Sequence, residues 1–307
     1  SRLDAAVASL TRARANVKRA RASVLKAAVE GRLVPTEAAV ARAEGRDYEP
    51  ATVLLDRILA EREAAWTASG ARGKYKPPVQ PDVEGLPEPP EGWCWATVEQ
   101  ATTLRNGAYI EQGWSPKCDS DPAREEEWAV MTTTAVQAGW FDSSQHKRLP
   151  IGLKPRSELA VEDGDVVITR AGPRKRAGVA CLVRRPRQRL ILCDKAYRVR
   201  VSAVIAGAFV EASLNSQRLL DTLERMKSGI SDSGVNINQT GFLSLALALP
   251  PLAEQHRIVA EVDRRLSVLG ALEATLDANL ARCARLRQAV ANGGGDGCCG
   301  GPSSPDG

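Results

Sequence analysis

A seven-residue repeat at both ends of the chain constrains its fold more than any other feature. Near the N-terminus, Leu3, Leu10, Val17 and Val24 recur every seven residues, with Ala6, Ala13, Ala20 and Ala27 three positions after each. Positions three and four apart share one face of an α-helix, so this is an a/d seam, and alanine at its second position lets a partner helix come close. Gly31 and Pro35 supply the stop. Near the C-terminus, Val262, Leu269, Leu276, Cys283 and Val290 repeat the same period. Ile258, Leu272 and Leu286 stand at the second seam position, with Arg265 and Asn279 interrupting it. Polar residues in a seam cost stability and fix register. At ~1.5 Å per residue the two helices would be about 40 and about 60 Å long. Packed antiparallel as a coiled coil, they would hold whatever lies between them.

What lies between has a different character. After the first helix, ATVLLDRILAEREAAW places Val53, Leu54, Ile58, Leu59 and Trp66 at helical spacing behind Pro50, which predicts a second, shorter helix. A proline-rich stretch from Pro77 to Pro90 reads as an extended linker. Beyond it, short apolar runs predict strands over 128–134, 165–169, 178–183, 189–193 and 196–201. In AYRVRV, Tyr197, Val199 and Val201 would face inward and Arg198 and Arg200 outward, giving a half-buried strand with a basic outer face. SQRLLDTLERM predicts a short helix, and FLSLALALP a last strand ending at Pro250. The expected fold class is α+β: a helical region over 1–76, a linker over 77–92, a β-rich domain over 93–251, a long helix over 252–292 and a disordered glycine-rich tail over 293–307.

Composition removes several function classes. No apolar run approaches the ~20 residues that span a bilayer, and the N-terminus has no signal-peptide core. Seven scattered cysteines form no Cys-x-x-Cys pair, which points to a reducing cytoplasm rather than a disulfide framework or zinc ribbon. With two histidines, His146 and His256, no metal-ligand spacing and no phosphate-binding loop, no catalytic or metal site is expected. Ala248-Leu249-Pro250-Pro251 is not the Asn/Asp-Pro-Pro-aromatic tetrapeptide of amino-methyltransferases. Net charge is +5, but it is concentrated: residues 170–200 carry eleven Lys or Arg against one acid, Asp194, and residues 11–32 seven against Glu30. Such stretches suit a polyanionic partner, and equally the solvated surface of an arginine-rich protein.

Three segments carry a resemblance. LALALPPLAEQHRIVAEVDRRL (245–266) is a strand ending in Pro-Pro, followed by a long helix opening on Leu-Ala-Glu-Gln. The second runs from AAVEGRLVP through ATVLLDRI and YKPP to LPEPPEGWCWATV, and the third is LAVEDGDVVITRAG with Gly178-Val179-Ala180. In this order they resemble the specificity subunit of a type I restriction–modification system. The resemblance implies a target-recognition domain that binds double-stranded DNA, flanked by conserved helices. It implies no catalysis in this chain, with methyl transfer from S-adenosylmethionine in a DNA methyltransferase (modification) subunit and cleavage in a restriction subunit. A full subunit has two recognition domains and this chain has one. It also begins with Ser1 rather than Met, so it looks like the C-terminal half of a subunit, or a natural half-length one that dimerises.

The candidate DNA-binding residues follow from groove chemistry. Arg170, Arg174, Lys175 and Arg176 lie in the loop ITRAGPRKRAG, framed by Gly172 and Gly178, where arginine can reach guanine O6 and N7 or a phosphate. Asn236, Asn238 and Gln239 carry the amides that pair with adenine N6 and N7, although the segment SDSGVNINQTGF is equally a turn, since Ser, Asp, Asn and Gly are turn formers. Thr133, between Thr132 and Thr134, is a third candidate. Two alternatives stay open: a helical protein-interaction scaffold whose middle domain does not bind DNA, and a nuclease or methyltransferase with an unfamiliar site.

Overall fold

The computed structural model describes residues 2–70, 73–104, 108–229 and 231–293, with side chains up to 289, so the tail beyond Gly293 and the Val290 side chain lie outside the described residues. The chain falls into two compact units, one built from 1–24 and 263–307, the other from 25–262. Helices α1 (Arg2–Val29) and α8 (Leu252–Gly293) contribute residues to both.

In the first unit α1 and α8 run antiparallel. Asp4 pairs with Arg287, Arg14 with Asp277 at 3.0 Å and Arg21 with Glu273 at 3.2 Å, so numbers rise along one helix as they fall along the other. Val17, Val24 and Leu276 are buried between them. Ile258 is buried as expected, but in this unit the second seam position on α8 differs from expectation. Leu272 and Leu286 are 47% and 49% exposed, and Arg265 and Asn279 also lie on the outer face. Leu266, Glu273 and Leu280 turn inward instead, four residues after each member of the Val262 series rather than three. Both offsets are helical, and the surface of the partner helix selects between them. The polar residue in the seam is therefore Glu273, matched by Arg21.

The second unit begins with α2 (Glu37–Glu44), which the sequence reading missed, and α3 (Ala51–Ala68). Thr36 caps α2 by accepting from the Ala39 amide, and Gly45 ends it in the left-handed conformation. Gly31, which closes α1, has φ +65°, and a Cβ there would stand 2.6 Å from Pro90. Only glycine fits both demands. The proline-rich stretch lies inside this unit and is pinned to it: Trp95 donates to the Pro87 carbonyl, the Thr97 hydroxyl to that of Val79, and the Ala51 amide to that of Gly92.

The β-rich part follows in chain order as β1 (Cys94–Thr97), α4 (Val98–Ala101), β2 (Glu111–Gln112), β3 (Ala129–Met131), β4 (Val136–Gln137), β5 (Trp140–Phe141) and β6 (His146–Arg148). Next come β7 (Asp165–Thr169), β8 (Ala171–Gly172), β9 (Ala180–Leu182), β10 (Leu190–Ile191) and β11 (Ala196–Arg200). Helices α5 (Gly207–Leu214) and α6 (Gln217–Met226), strand β12 (Val235–Asn236), helix α7 (Gln239–Leu243) and β13 (Ala246–Leu249) complete it. The expected strand over 128–134 shortens to β3 before a 3-10 turn at Thr133–Ala135, and FLSLALALP opens with the end of α7 before becoming β13. Entry and exit strands pair antiparallel, Cys94 opposite Leu249.

A four-stranded sheet, β2-β11-β7-β9, forms the centre. Strand side chains alternate between faces. Val166, Ile168, Tyr197 and Val199 enter one apolar cluster, shared with Leu54 and Ile58 of α3, Val210, Leu219 and Phe242. Val167, Cys181 and Ala196 enter a second, shared with Val130, Met131, Leu190 and Ile191. Because both faces are covered, the basic outer face expected of β11 does not exist. Arg198 is 1% exposed. Its guanidinium holds Glu111 at 2.7 Å and Asp165 at 3.5 Å and donates to the carbonyls of Glu158 and Ala160, while Arg200 holds Asp165 at 2.8 Å. No described helix is long and apolar enough to cross a membrane.

Candidate nucleic-acid interface

The loop after β7 turns back on itself because Gly172 and Gly178 take φ of +130° and +92°, and because the Thr169 hydroxyl bonds to the Arg176 carbonyl. This folds four cations into a tight turn and then separates their roles. Arg174 lies between Glu224 at 2.5 Å and Asp232 at 2.8 Å, whose hydrogen bonds raise its pKa. Lys227 and Arg174 together hold Glu224 below the usual carboxylate range. Arg176 points across to the next segment and donates to the carbonyls of Thr133 and Val136. Lys175 is exposed and bonds to no described residue. Arg170 donates from Nε to the Asp194 carbonyl and from a terminal nitrogen to Asn236 Oδ1, both at 2.8 Å, with its guanidinium 5.4 Å from the Tyr197 ring.

The segment 231–239 packs beside that loop. Strand β12 pairs with β8, placing Asn236 opposite Ala171 and Val235 opposite Gly172. Asn238 caps α7, its Oδ1 accepting from the Gly241 amide at 2.6 Å, and Gln239 is exposed at the first turn. Thr133 is half-buried in the 3-10 turn that Arg176 grips. The three stretches singled out in the sequence are therefore bonded into one surface: the arginine loop to the amide segment through Arg170–Asn236 and Arg174–Asp232, and to the threonine turn through Arg176.

Sequence reasoning missed the lysines beside this surface. A cleft of about 470 Å³ is lined by Lys117, Lys147 and Lys195 with Thr132 and Thr133, over a floor of Val130, Met131 and Cys193. The Lys195 carbonyl accepts from the amides of Arg170 and Ala171, which ties the cleft to the arginine loop. Lys147 arrives through the pairing of β6 with β3, opposite Val130. These lysines are 78 residues apart from first to last, and no local pattern gathers them. Burial pushes the Cys193 thiol up to about 11, so at neutral pH it is a protonated, apolar part of the floor. The set of groups is suited to binding: cations for phosphates, amides and guanidinium for base edges. Among the described residues no three or more His, Cys, Asp or Glu gather as metal ligands.

No family model matches the chain. It is similar to curated proteins. It is 34% identical over 272 residues to the type I restriction enzyme EcoEI specificity subunit of Escherichia coli, covering 87% of this chain and 43% of that protein. It is 25% identical over 253 residues to the EcoAI specificity subunit of Escherichia coli, covering 81% and 39%. To the StySPI specificity subunit of Salmonella potsdam it is 23% identical over 204 residues, covering 66% and 42%. Among solved structures, the HsdS subunit from Thermoanaerobacter tengcongensis aligns with a TM-score of 0.46 at 18% identity, covering 95% of this chain and 56% of that one. The chain spans about two fifths of the length of the curated relatives it matches. By descent, then, it belongs with the type I restriction enzyme specificity subunits, matching the EcoEI subunit over 87% of its own length.

Proposed function

We propose that this chain is a sequence-specific DNA-binding subunit whose β-rich domain reads one half of a bipartite target and so directs methylation and restriction by partner subunits. The observation that carries this reading is the convergence of the arginine loop, the amide segment and the threonine turn on one surface beside the three-lysine cleft. Kinship with specificity subunits supports the same reading. Duplex DNA is the ligand, and the chain performs no chemistry on it. S-adenosylmethionine is used by a modification subunit and cleavage belongs to a restriction subunit, all in the cytoplasm. Asp4–Arg287 and Arg14–Asp277 join the helices of the first unit into a rod that serves as spacer and as dock for the modification subunits.

The test is a salt series. Binding to a duplex should weaken steeply as salt rises, with log Kd linear in log salt, because neutralised phosphates release counterions. With a cognate modification subunit and a second recognition domain supplied, the assembly should methylate DNA; the chain alone should not. Salt-independent binding, or none, would favour a protein-interaction scaffold, and methyl transfer by the chain alone would restore the enzyme reading.

A further inference from the structure

The bond between Arg170 and Asn236 changes what this surface can read. Arginine has only donors, so the atom of Asn236 facing it at 2.8 Å is necessarily the amide oxygen. An amide reads adenine by accepting from N6 while donating to N7, and for Asn236 one of the two lone pairs of the accepting oxygen is already taken by a guanidinium, whose charge also opposes a second donor there. What the pair shows to its surroundings is dominated by donors: the Nδ2 hydrogens of Asn236 and the remaining hydrogens of the Arg170 terminal nitrogens, against one lone pair left on the Asn236 oxygen. Asn236 is exposed, and the second terminal nitrogen of Arg170 has no partner among the described residues. The arginine is also held still. Its Nε is anchored on the Asp194 carbonyl, its own amide on that of Lys195, and its plane lies near the Tyr197 ring. A fixed, donor-only fork matches one feature of the major groove, the paired acceptors O6 and N7 of guanine.

Resting on the DNA-binding reading above, we infer that Arg170, positioned by Asn236, is a specificity-determining residue that reads a guanine in the half-site, and that Asn236 does not read adenine. Among the amides of the segment, Gln239 keeps both its donor and its acceptor, so any amide-to-adenine contact falls to it. Asn238 is spent on capping α7.

The experiment selects bound duplexes from a library with a randomised stretch, using the full chain and the variants Arg170→Ala, Arg170→Lys, Asn236→Ala and Asn236→Asp. The melting temperature of each variant is measured alongside. Wild type should enrich a motif containing an obligatory guanine. Arg170→Lys keeps the charge but loses the fork, so it should bind with similar salt dependence while discrimination at that guanine drops roughly ten- to a hundred-fold. It serves where Arg170→Ala fails to fold. Asn236→Asp keeps an acceptor for Arg170 and should retain the guanine; Asn236→Ala should weaken it. Replacing the guanine by 7-deazaguanine should cost wild type affinity and leave Arg170→Lys unaffected. A motif unchanged in Arg170→Lys, or an adenine lost in Asn236→Ala, overturns the inference while DNA binding stands. Salt-dependent binding without any enriched motif overturns it too. The absence of any salt-dependent binding overturns the DNA-binding reading itself, and this inference with it.

Discussion

Replacing Arg198 by methionine should destabilise the second unit and leave the first intact. The guanidinium is 1% exposed and contacts Glu111, Asp165 and the carbonyls of Glu158 and Ala160. Removing one partner from a buried ion pair costs about 3–5 kcal/mol, chiefly because the charge left behind stays out of water. Asp165 retains Arg200 at 2.8 Å, and Glu111, whose side chain is 12% exposed, gives up its 2.7 Å contact with Arg198. That residual access to water and the surviving pair place the loss near the lower end, about 3 kcal/mol. At ~2–4 °C per kcal/mol for a unit of this size, melting should fall by ~6–12 °C. The assay is built in: all six tryptophans, from Trp66 to Trp140, lie in the second unit, so their fluorescence during guanidinium unfolding reports that unit alone. The double variant Arg198→Met with Glu111→Leu should recover more than half the loss, since replacing both members of a buried pair by apolar groups is often close to neutral. A loss below ~1 kcal/mol in the single variant, or additive losses in the double, would refute the account of Arg198 as a buried charge that its partners require.

Charge placed at Val17, 3% exposed against α8, should cost about 3 kcal/mol or more; Val17→Asp is expected to lower the helical signal at 222 nm on heating while tryptophan fluorescence is unchanged. Lys175→Ala should reduce DNA affinity a few-fold and flatten the salt slope by about one without altering melting, whereas Arg176→Ala, which frees two carbonyls, should lower stability by ~1–3 kcal/mol; equal melting of the two would show that Arg176 is no anchor. Gln255→Leu strands the Ala206 amide and the Pro250 carbonyl, now bonded at 2.8 and 2.9 Å, and should cost ~2–4 kcal/mol with the selected DNA motif unchanged. Burial pushes Cys94 and Cys193 up to about 11 and Cys181 to about 12, so these thiols should resist iodoacetamide at pH 8 until guanidinium is added, as read by mass spectrometry. Their folded pKa values lie above the unfolded ~8.5, so the stability they contribute is complete below that pH and falls as pH rises toward 11–12.

The elements legible in the sequence are those whose period is long or whose neighbours are local. The terminal helices announce themselves by heptads, β7 by four consecutive strand formers from Val166 to Thr169, and α6 by Leu219 and Leu223 on one face. Helix α2, at eight residues, is too short for periodicity to mark, although Thr36 ahead of Glu37 is a capping signal that can be read. The α8 seam shows a different limit: offsets of three and four both satisfy a helix, and only the partner's surface chooses Leu266 and Leu280 over Leu272 and Leu286. Alternation in AYRVRV gave the correct faces of β11 and the wrong surroundings, because period two says which residues share a face and not whether the second face is covered. The candidate site divides the same way. Its residue types and loops were legible. Its electrostatics were not, since Arg174 is matched by Glu224 and Asp232, 50 and 58 positions away, and the cleft lysines meet only through strand pairing.

The Leu-Ala-Glu-Gln stretch that opens α8 has a task distinct from the candidate surface. Strands β1 and β13 pair so that the β-rich part starts and finishes side by side. Directly after β13, Pro250 and Pro251 end the ladder and α8 begins. Its Gln255 ties the Pro250 carbonyl to the Ala206 amide ahead of α5, and its Glu254 accepts from the Glu37 amide at the start of α2. Arg257 then holds the Glu37 carboxylate at 2.5 Å, which keeps that carboxyl below its usual range against the opposing effect of burial. Both Glu254 and Gln255 are wholly buried, so neither can touch DNA. Leu-Ala-Glu-Gln is thus a joint that locks the exit of the domain to the helices before its entry. Both side chains are committed to bonds inside the fold, whereas Lys175, Asn236 and Gln239 in the loops at 170–178 and 231–239 are exposed. The buried joint at Glu254 and Gln255 and the exposed stretches proposed to meet DNA are therefore physically separate sets of residues.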